Sequence, residues 1–234
     1  IFTNTLGVPQ DLTFENYPNA YESLDFARTF LNSLIITVCS VVLIVVLSSL
    51  AAYALQRVKS KISGILFMLF VAAMLIPFQS VMIPLVTIFG KVDQLNMGGL
   101  IFMYIGFGSS MSIFLYHGSM KSIPKSLDEA AIIDGASRFQ IFRYVIFPML
   151  KPTTVTVALL NTMWIWNDYL LPSLVVNKEG SQTIPLKMFF FFGEYTKQWH
   201  LALAGLMIAI IPVIIFYFIM QKQIIAGVSD GAVK

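Results

Sequence analysis

Five long apolar stretches divide the chain, at roughly residues 30–55, 64–89, 98–116, 153–176 and 201–220. Each is close to the ~20 residues that an α-helix needs to cross the hydrocarbon core of a bilayer. The first, FLNSLIITVCSVVLIVVLSSLAAYAL, lacks the strict alternation of a membrane-spanning strand. The pattern therefore predicts an all-α, polytopic helical membrane protein with five spans, forming a single transmembrane domain over residues 1–234.

The distribution of charge supports this prediction and orients the spans. Hydrophobic residues make up 57% of the chain and charged residues 12%, whereas a soluble domain carries about 25% charged residues. Basic residues are grouped at 57–61, at 121–151 and after the last span, and the positive-inside rule makes these segments cytoplasmic. Residue 1 is then external, so we expect six spans in the full protein, the sixth lying upstream of this sequence. With a net charge of +3 and no dense basic run, nucleic acid is not an expected partner.

The second apolar stretch contains two prolines, Pro77 and Pro84, with Gln79 between them. Proline removes a helical hydrogen bond, and the freed carbonyl group needs another partner inside a membrane. We therefore expect a kink or a break in this span. Gln79 is a candidate substrate-pathway residue, since broken helices line some translocation routes, or else a hydrogen-bonding contact between helices.

A charged segment at 121–151 separates the third and fourth apolar stretches and is much longer than an ordinary turn. Ser126 and Glu129 have the spacing of a capping box, which predicts the start of a helix. Gly135 is placed to end that helix in a left-handed conformation. The residues predicted to share one helical face are Leu127, Ala130, Ala131 and Asp134.

A second helix is predicted after Gly135, with an apolar stripe of Phe139, Phe142 and Ile146. Arg138 and Arg143 remain in water or meet phosphate head groups. Two interpretations of the segment stay open at this point: an amphipathic connector on the membrane surface, or a projection that fits a cleft in a cytosolic partner.

The fourth apolar stretch contains Asn161, Trp164 and Asp168, which fall on one helical face. A carboxylate inside a membrane costs roughly 2.5–3.5 kcal/mol, so Asp168 should face protein or a cavity. An aromatic plane beside amide and carboxylate acceptors would suit a sugar, which makes these three side chains candidate pathway residues. The alternative is structural: Asp168 and Asn167 tie down the outer end of the span, and the tryptophans anchor it at the interface.

The charged segment resembles the EAA loop of ABC importer membrane subunits, whose pattern is EAA-x3-G-x9-I-x-L-P. Glu129-Ala130-Ala131, Gly135 and the run Val145-Ile146-Phe147-Pro148 match its spacing, with Val145 for Ile and Phe147 for Leu. Further segments resemble the binding-protein-dependent carbohydrate permeases, specifically their MalG-like subunit: NSLIITV at 32–38, LAAYALQR at 50–57, SIPKSLDEAAIIDGAS at 122–137, WNDYLLP at 166–172 and SDGAVK at 229–234.

The resemblance implies a type I ABC importer permease fold in the bacterial cytoplasmic membrane. It implies a transport subunit rather than an enzyme, importing a carbohydrate, with an oligosaccharide as the expected cargo. The partners it implies are a homologous second permease subunit, two ATPase subunits that bind ATP and Mg, and an extracellular solute-binding protein, in contact with membrane lipid. The residues it implies for ATPase docking are Ser126, Leu127, Glu129, Ala130, Ala131, Asp134 and Gly135.

The sequence itself contains no G-x-x-x-x-G-K-[ST] phosphate loop, so ATP hydrolysis is expected from a separate chain. No catalytic residue, resident cofactor or metal site is expected in this chain. The rival interpretation is an ion-coupled secondary transporter, but such carriers use intramembrane carboxylates, and Asp168 is the only acidic residue well inside a predicted span.

Overall fold

The computed structural model describes residues 13–58, 60–191 and 198–232, with the backbone alone at 216, 217 and 219–232. Every regular element in these ranges is helical, as the sequence predicted. The helices are α1 Asn16–Ser23, α2 Phe26–Arg57, α3 Lys61–Ala73, α4 Phe78–Lys91, α5 Met97–Met120, α6 Ser126–Ile133, α7 Arg138–Gln140, a π-helical segment Ile141–Ile146, α8 Phe147–Met149, α9 Lys151–Asn167, α10 Leu170–Val175, α11 Ile184–Phe189 and α12 Trp199–Ala232.

The first apolar stretch forms α2, a continuous helix of 32 residues that packs along α5. Its buried side carries small polar residues such as Ser33, Ser40 and Ser48, whereas large aliphatic side chains such as Leu31 and Val42 are exposed. Small side chains let two helices approach closely in a membrane, and aliphatic side chains suit the lipid. The polar residues within this stretch therefore mark its protein-facing side.

The second apolar stretch is broken, as the prolines predicted. α3 and α4 meet at an angle of 102° across a short break. Pro77 precedes α4 with an extended backbone, φ −67° and ψ 137°. Proline disfavours the helical conformation in the residue before it, so α3 ends ahead of it. Pro84, by contrast, lies inside α4 without ending the helix.

By length and composition, α2 and α5 are the two unbroken helices in the described ranges that can cross a membrane. The number rises to as many as four if each bent pair counts as one span: α3 with α4, and residues 138–149 with α9, which meet at 78°. Within α12, the stretch with described side chains, Trp199–Ile215, is apolar but shorter than the 18 residues that these criteria require. The structure thus supports between two and four of the five predicted spans by these criteria.

The loop that precedes α11 is fastened to the beginning of α2. The amide of Asn32 donates hydrogen bonds of 3.0 Å to the carbonyl groups of Gly180 and Gln182. The Ser33 hydroxyl accepts a 2.9 Å hydrogen bond from the backbone N–H of Ile184. α2 is therefore held at this end by polar contacts, and along its length by α5.

Candidate functional site

The charged hairpin, residues 126–149, consists of α6, a bend at Gly135 and the helical run that includes α7 and α8. Its first helix begins without the predicted capping box, so that prediction was wrong. The residue before α6 is Lys125, which already has helical angles, and no side chain caps the helix. A capping residue needs an extended backbone. Because Ser126 is inside the first helical turn, its hydroxyl and Glu129 do not form the reciprocal pair.

A capping box occurs instead at the start of the second helical run. Ser137 has an extended backbone, and its hydroxyl accepts a 3.4 Å hydrogen bond from the N–H of Gln140. The Gln140 side chain in turn accepts a 2.8 Å hydrogen bond from the N–H of Ser137. The sequence SRFQ carries this S-x-x-Q signal, which sequence reasoning missed.

The bend at Gly135 is confirmed, with a left-handed φ of +81°. The N–H of Gly135 bonds to the carbonyl of Ile132 at 3.0 Å, and the N–H of Ala136 bonds to the carbonyl of Ala131 at 2.9 Å. These two bonds form a Schellman motif, which satisfies the last carbonyl groups of α6. No heavy atom lies within 4 Å of a Cβ built on Gly135, so the position requires glycine for its backbone angle and not for space.

Most of α6 is exposed. Among the seven predicted docking residues, Ala131 is half-buried against the core, and the exposed ones are Ser126, Leu127, Glu129, Ala130, Asp134 and Gly135. Ile132 and Ile133 are also exposed, at 58% and 86%. The predicted face of Leu127, Ala130, Ala131 and Asp134 is therefore mostly open, and the side of α6 that contacts the protein is the one bearing Asp128 and Ala131.

Asp128 is the buried side chain of α6, and sequence reasoning did not select it. Its carboxylate pairs with the Arg57 guanidinium at the end of α2, with Nη2–Oδ2 at 2.8 Å and Nε–Oδ1 at 3.1 Å. The Tyr53 hydroxyl donates a further 3.0 Å hydrogen bond to Oδ1. Removing one partner of a buried ion pair costs about 3–5 kcal/mol, since it leaves a charge without compensation. The sequence feature that could have indicated this contact is the pair Tyr53 and Arg57. These residues are four positions apart and therefore lie on one face of the last turns of α2.

The second helical run buries two of the three residues of the predicted apolar stripe, Phe142 and Ile146, and leaves Phe139 exposed. Phe139 is 61% exposed, whereas Ile141, Phe142 and Ile146 are buried. Residues 141–146 are π-helical, and in this geometry side chains five residues apart align. Ile141 and Ile146 therefore share the inner face, and Phe139 is turned away from it. Arg138 and Arg143 are exposed, as predicted.

On α9, the predicted face of Asn161, Trp164 and Asp168 is directed at α5. Asn161 is buried, and its amide donates to the Ser112 hydroxyl at 3.1 Å and to the carbonyl of Val157 at 2.8 Å. A Cβ added to Gly108 would lie 2.6 Å from the Asn161 side-chain oxygen. Asn161 therefore fills the closest approach between α5 and α9.

Trp164 and Asp168 both contact Tyr104 of α5. The rings of Trp164 and Tyr104 meet edge to face, 5.4 Å apart, and the Tyr104 hydroxyl donates a 2.9 Å hydrogen bond to Asp168. α9 ends at Asn167, earlier than the predicted span, because Asp168 is extended and accepts from the N–H of Leu170 at 3.0 Å. These contacts are consistent with the structural interpretation, in which Asp168 ties down the end of the span, and Trp164 remains 42% exposed.

Gln79 does not belong to this cluster and lies exposed in the first turn of α4. Three of the four predicted pathway residues are thus together on the α5–α9 contact. Within the described ranges, no three His, Cys, Asp or Glu side chains are grouped as a metal site requires.

Comparison with known proteins gives consistent relatives along the whole chain. It is 59% identical over 234 residues to a probable starch degradation products transport system permease protein, AmyC, of Thermoanaerobacterium thermosulfurigenes, covering 100% of this chain and 85% of the relative. It is 39% identical to the multiple sugar-binding transport system permease protein MsmG of Streptococcus mutans, covering 100% and 86%. It is 37% identical to the melibiose/raffinose/stachyose import permease protein MelC of Bacillus subtilis, covering 97% and 83%.

Two solved structures share the fold. A chain of a bacterial ABC transporter involved in the import of the acidic polysaccharide alginate superposes with a TM-score of 0.77 and 26% identity, covering 92% of this chain and 81% of that one. The MetNI methionine ABC transporter gives 0.62 at 18% identity, covering 86% and 95%. The family model for the binding-protein-dependent transport system inner membrane component matches residues 44–230. The chain therefore belongs to this family and is a membrane permease subunit with the ABC importer permease fold.

Proposed function

We propose that this permease subunit imports an oligosaccharide, which an extracellular solute-binding protein delivers, and that a separate ATPase drives it by docking on α6. The observation that carries the proposal is the state of α6: Ile132 and Ile133 at its end are exposed, while Asp128 in its first turn is paired with Arg57 of α2. An exposed helix with apolar side chains that is fixed to the membrane helices suits a groove in a cytosolic partner.

The cargo class is supported by the relatives, whose names refer to starch degradation products, multiple sugars, and melibiose, raffinose or stachyose. These are saccharides, which offer apolar ring faces and many hydroxyl groups. We propose that Trp164 contacts the sugar with its exposed ring, while Asn161 and Asp168 hold α9 against α5. Gln79 is proposed as a second pathway residue because of its exposure at the α3–α4 break.

The assembly proposed around the chain contains a homologous second permease subunit and two ATPase subunits, which bind ATP and Mg. Binding and hydrolysis of ATP would change the separation of the ATPase subunits and thereby displace α6. The role of this chain is then mechanical, because its own residues provide the docking helix and the lining of the route.

The docking step is tested by enlarging the smooth exposed face of α6. Ala130→Trp should prevent seating in a groove without disturbing the fold, because Ala130 is exposed. The matched control is Arg143→Trp, at a position that is also exposed and lies on the other arm. We expect the ATPase to copurify with the wild type and with the control, and to be lost from the Ala130 variant.

Uptake measurements test the function as a whole. Right-side-out membrane vesicles or proteoliposomes that contain the complex and enclose ATP should accumulate maltotriose or raffinose only when a loaded binding protein is present outside. Purification of the wild type without any ATPase, together with uptake that follows an ion gradient at constant ATP, would establish the ion-coupled carrier instead.

A further inference from the structure

The charged hairpin has two kinds of attachment to the membrane helices. Through the chain it joins α5 by the short turn 121–125, and it joins α9 by the 78° bend after Met149. Through side chains it joins α2, which lies 71 residues away in sequence at the Arg57–Asp128 contact. Turns and bends absorb changes of backbone angle, so the side-chain contact supplies a connection to α2 that does not pass through them.

Both arms of the hairpin meet the end of α2 at the same place. The first arm provides Asp128, whose carboxylate bonds to Arg57 and to Tyr53. The second arm provides Phe142, whose ring lies 5.4 Å from the Tyr53 ring. Tyr53 therefore contacts both arms, with its hydroxyl on one and its ring on the other.

Arg57 also fixes the segment that leads into α6. Its two terminal nitrogens approach the carbonyl oxygen of Ile123 at 3.4 and 3.5 Å. The Arg57 and Asp128 side chains are only 11% and 12% exposed. A planar guanidinium group that bonds a carboxylate and a carbonyl from a buried position has little rotational freedom, which a lysine would retain.

We infer that Arg57, Tyr53 and Asp128 are positioning residues that make the charged hairpin and α2 one rigid body. This inference rests on the proposed function. When an ATPase displaces α6, the displacement reaches α2 directly through this contact. Because α2 packs along α5 and also contacts α9, the motion is passed to the helices that carry Tyr104, Asn161 and Trp164.

Coupling between hydrolysis and uptake is the property that this arrangement controls. Arg57→Met and Asp128→Asn remove the ion pair but leave the exposed docking face of α6 unchanged, so the ATPase should still copurify. We expect ATP hydrolysis to continue while the number of sugar molecules imported per ATP falls by about tenfold, because α6 can then move without displacing α2 and the coupling between the two sites is lost. Tyr53→Phe removes one hydrogen bond and keeps the ring, so a smaller decrease is expected.

The matched control is Arg143→Met, which removes an exposed guanidinium group from the same hairpin and should leave the sugar-to-ATP ratio unchanged. A merely structural role would lower the amount of folded complex, and hence uptake and hydrolysis in equal proportion, with the ratio unaltered. That result would overturn the inference. Failure of the wild type to bind any ATPase would instead overturn the proposed function.

A chemical rescue separates coupling from folding in a single protein. In a Cys39→Ser background, Arg57→Cys and Asp128→Cys place two thiols where the ion pair was. Before treatment this protein should show the low sugar-to-ATP ratio, and bridging the thiols with a short bifunctional reagent should restore it. A bridge that forms but stops uptake would show that α6 and α2 separate during transport, and thiols that no short reagent bridges would show that they are not adjacent. Either result contradicts the inference.

Discussion

The hydroxyl group of Tyr104 donates a 2.9 Å hydrogen bond to the carboxylate of Asp168, joining the early part of α5 to the end of α9. Tyr104 is fully buried, and the same carboxylate accepts the backbone N–H of Leu170. A carboxylate within an apolar stretch must be directed at protein or water. Here it is directed at protein, and it also sets the point at which α9 stops.

Tyr104→Phe should therefore lower the free energy of unfolding by about 1–3 kcal/mol, because Asp168 loses a donor at a partly buried position. The matched control is Tyr144→Phe, which removes the same hydroxyl from a side chain that is 69% exposed. Thermal unfolding in detergent micelles measures both. Equal effects at the two positions would show that the hydrogen bond to Asp168 contributes nothing.

Gly108 lies where α2, α5 and α9 converge, and a Cβ there would be 2.6 Å from both the Asn161 oxygen and the Ile44 Cδ1 atom. Gly108→Val should destabilise the protein by about 1–3 kcal/mol through overpacking. Gly106→Val is the control on the same helix, since no heavy atom lies within 4 Å of a Cβ at Gly106. The yield of folded protein and its unfolding temperature should fall only for the Gly108 variant.

Gly135 has a φ of +81° with open space around it, so the cost of a substitution there comes from the backbone. Gly135→Val should destabilise the bend by roughly 1–2 kcal/mol or more, whereas Gly135→Asn should be nearly neutral, because asparagine tolerates the left-handed region. Retention of the ATPase during purification, together with unfolding temperature, measures the effect. If valine and asparagine behaved alike, the requirement would not be one of backbone angle.

Replacing each of two serines of the charged hairpin by alanine should change the free energy of unfolding by different amounts. Ser137→Ala should cost about 1 kcal/mol, since it removes the cap of the second helical run. Ser126→Ala should be neutral for stability, because Ser126 is exposed and its side chain caps nothing. The unfolding temperatures of the two variants measure these effects. A larger decrease for Ser126→Ala than for Ser137→Ala would support the capping box that the sequence suggested at Ser126.

The hairpin was predictable in outline because its signals are local. Gly135 ends a helix through its own backbone freedom, and outside the hairpin the break at Pro77 follows from the restriction that a proline places on the residue before it. The details that sequence reasoning missed depend on which residues share a helical face and on partners that are distant in the sequence. The predicted stripe was wrong at Phe139, where the π-helical segment 141–146 changes the residues that share a face. Asp128 was missed because its partners are on α2.

By itself the sequence determined the helical membrane class, the apolar stretches and the EAA-like spacing. These features depend only on the length of apolar segments and on the backbone preferences of neighbouring residues. Only the tertiary structure decided which polar side chains face one another. Arg57 with Asp128, Tyr104 with Asp168 and Asn161 with Ser112 are each joined across at least 49 positions of the chain. In an apolar environment a polar side chain is stabilised by a hydrogen-bond partner on a neighbouring helix, and for these pairs the partner is set by the packing of α2, α5 and α9.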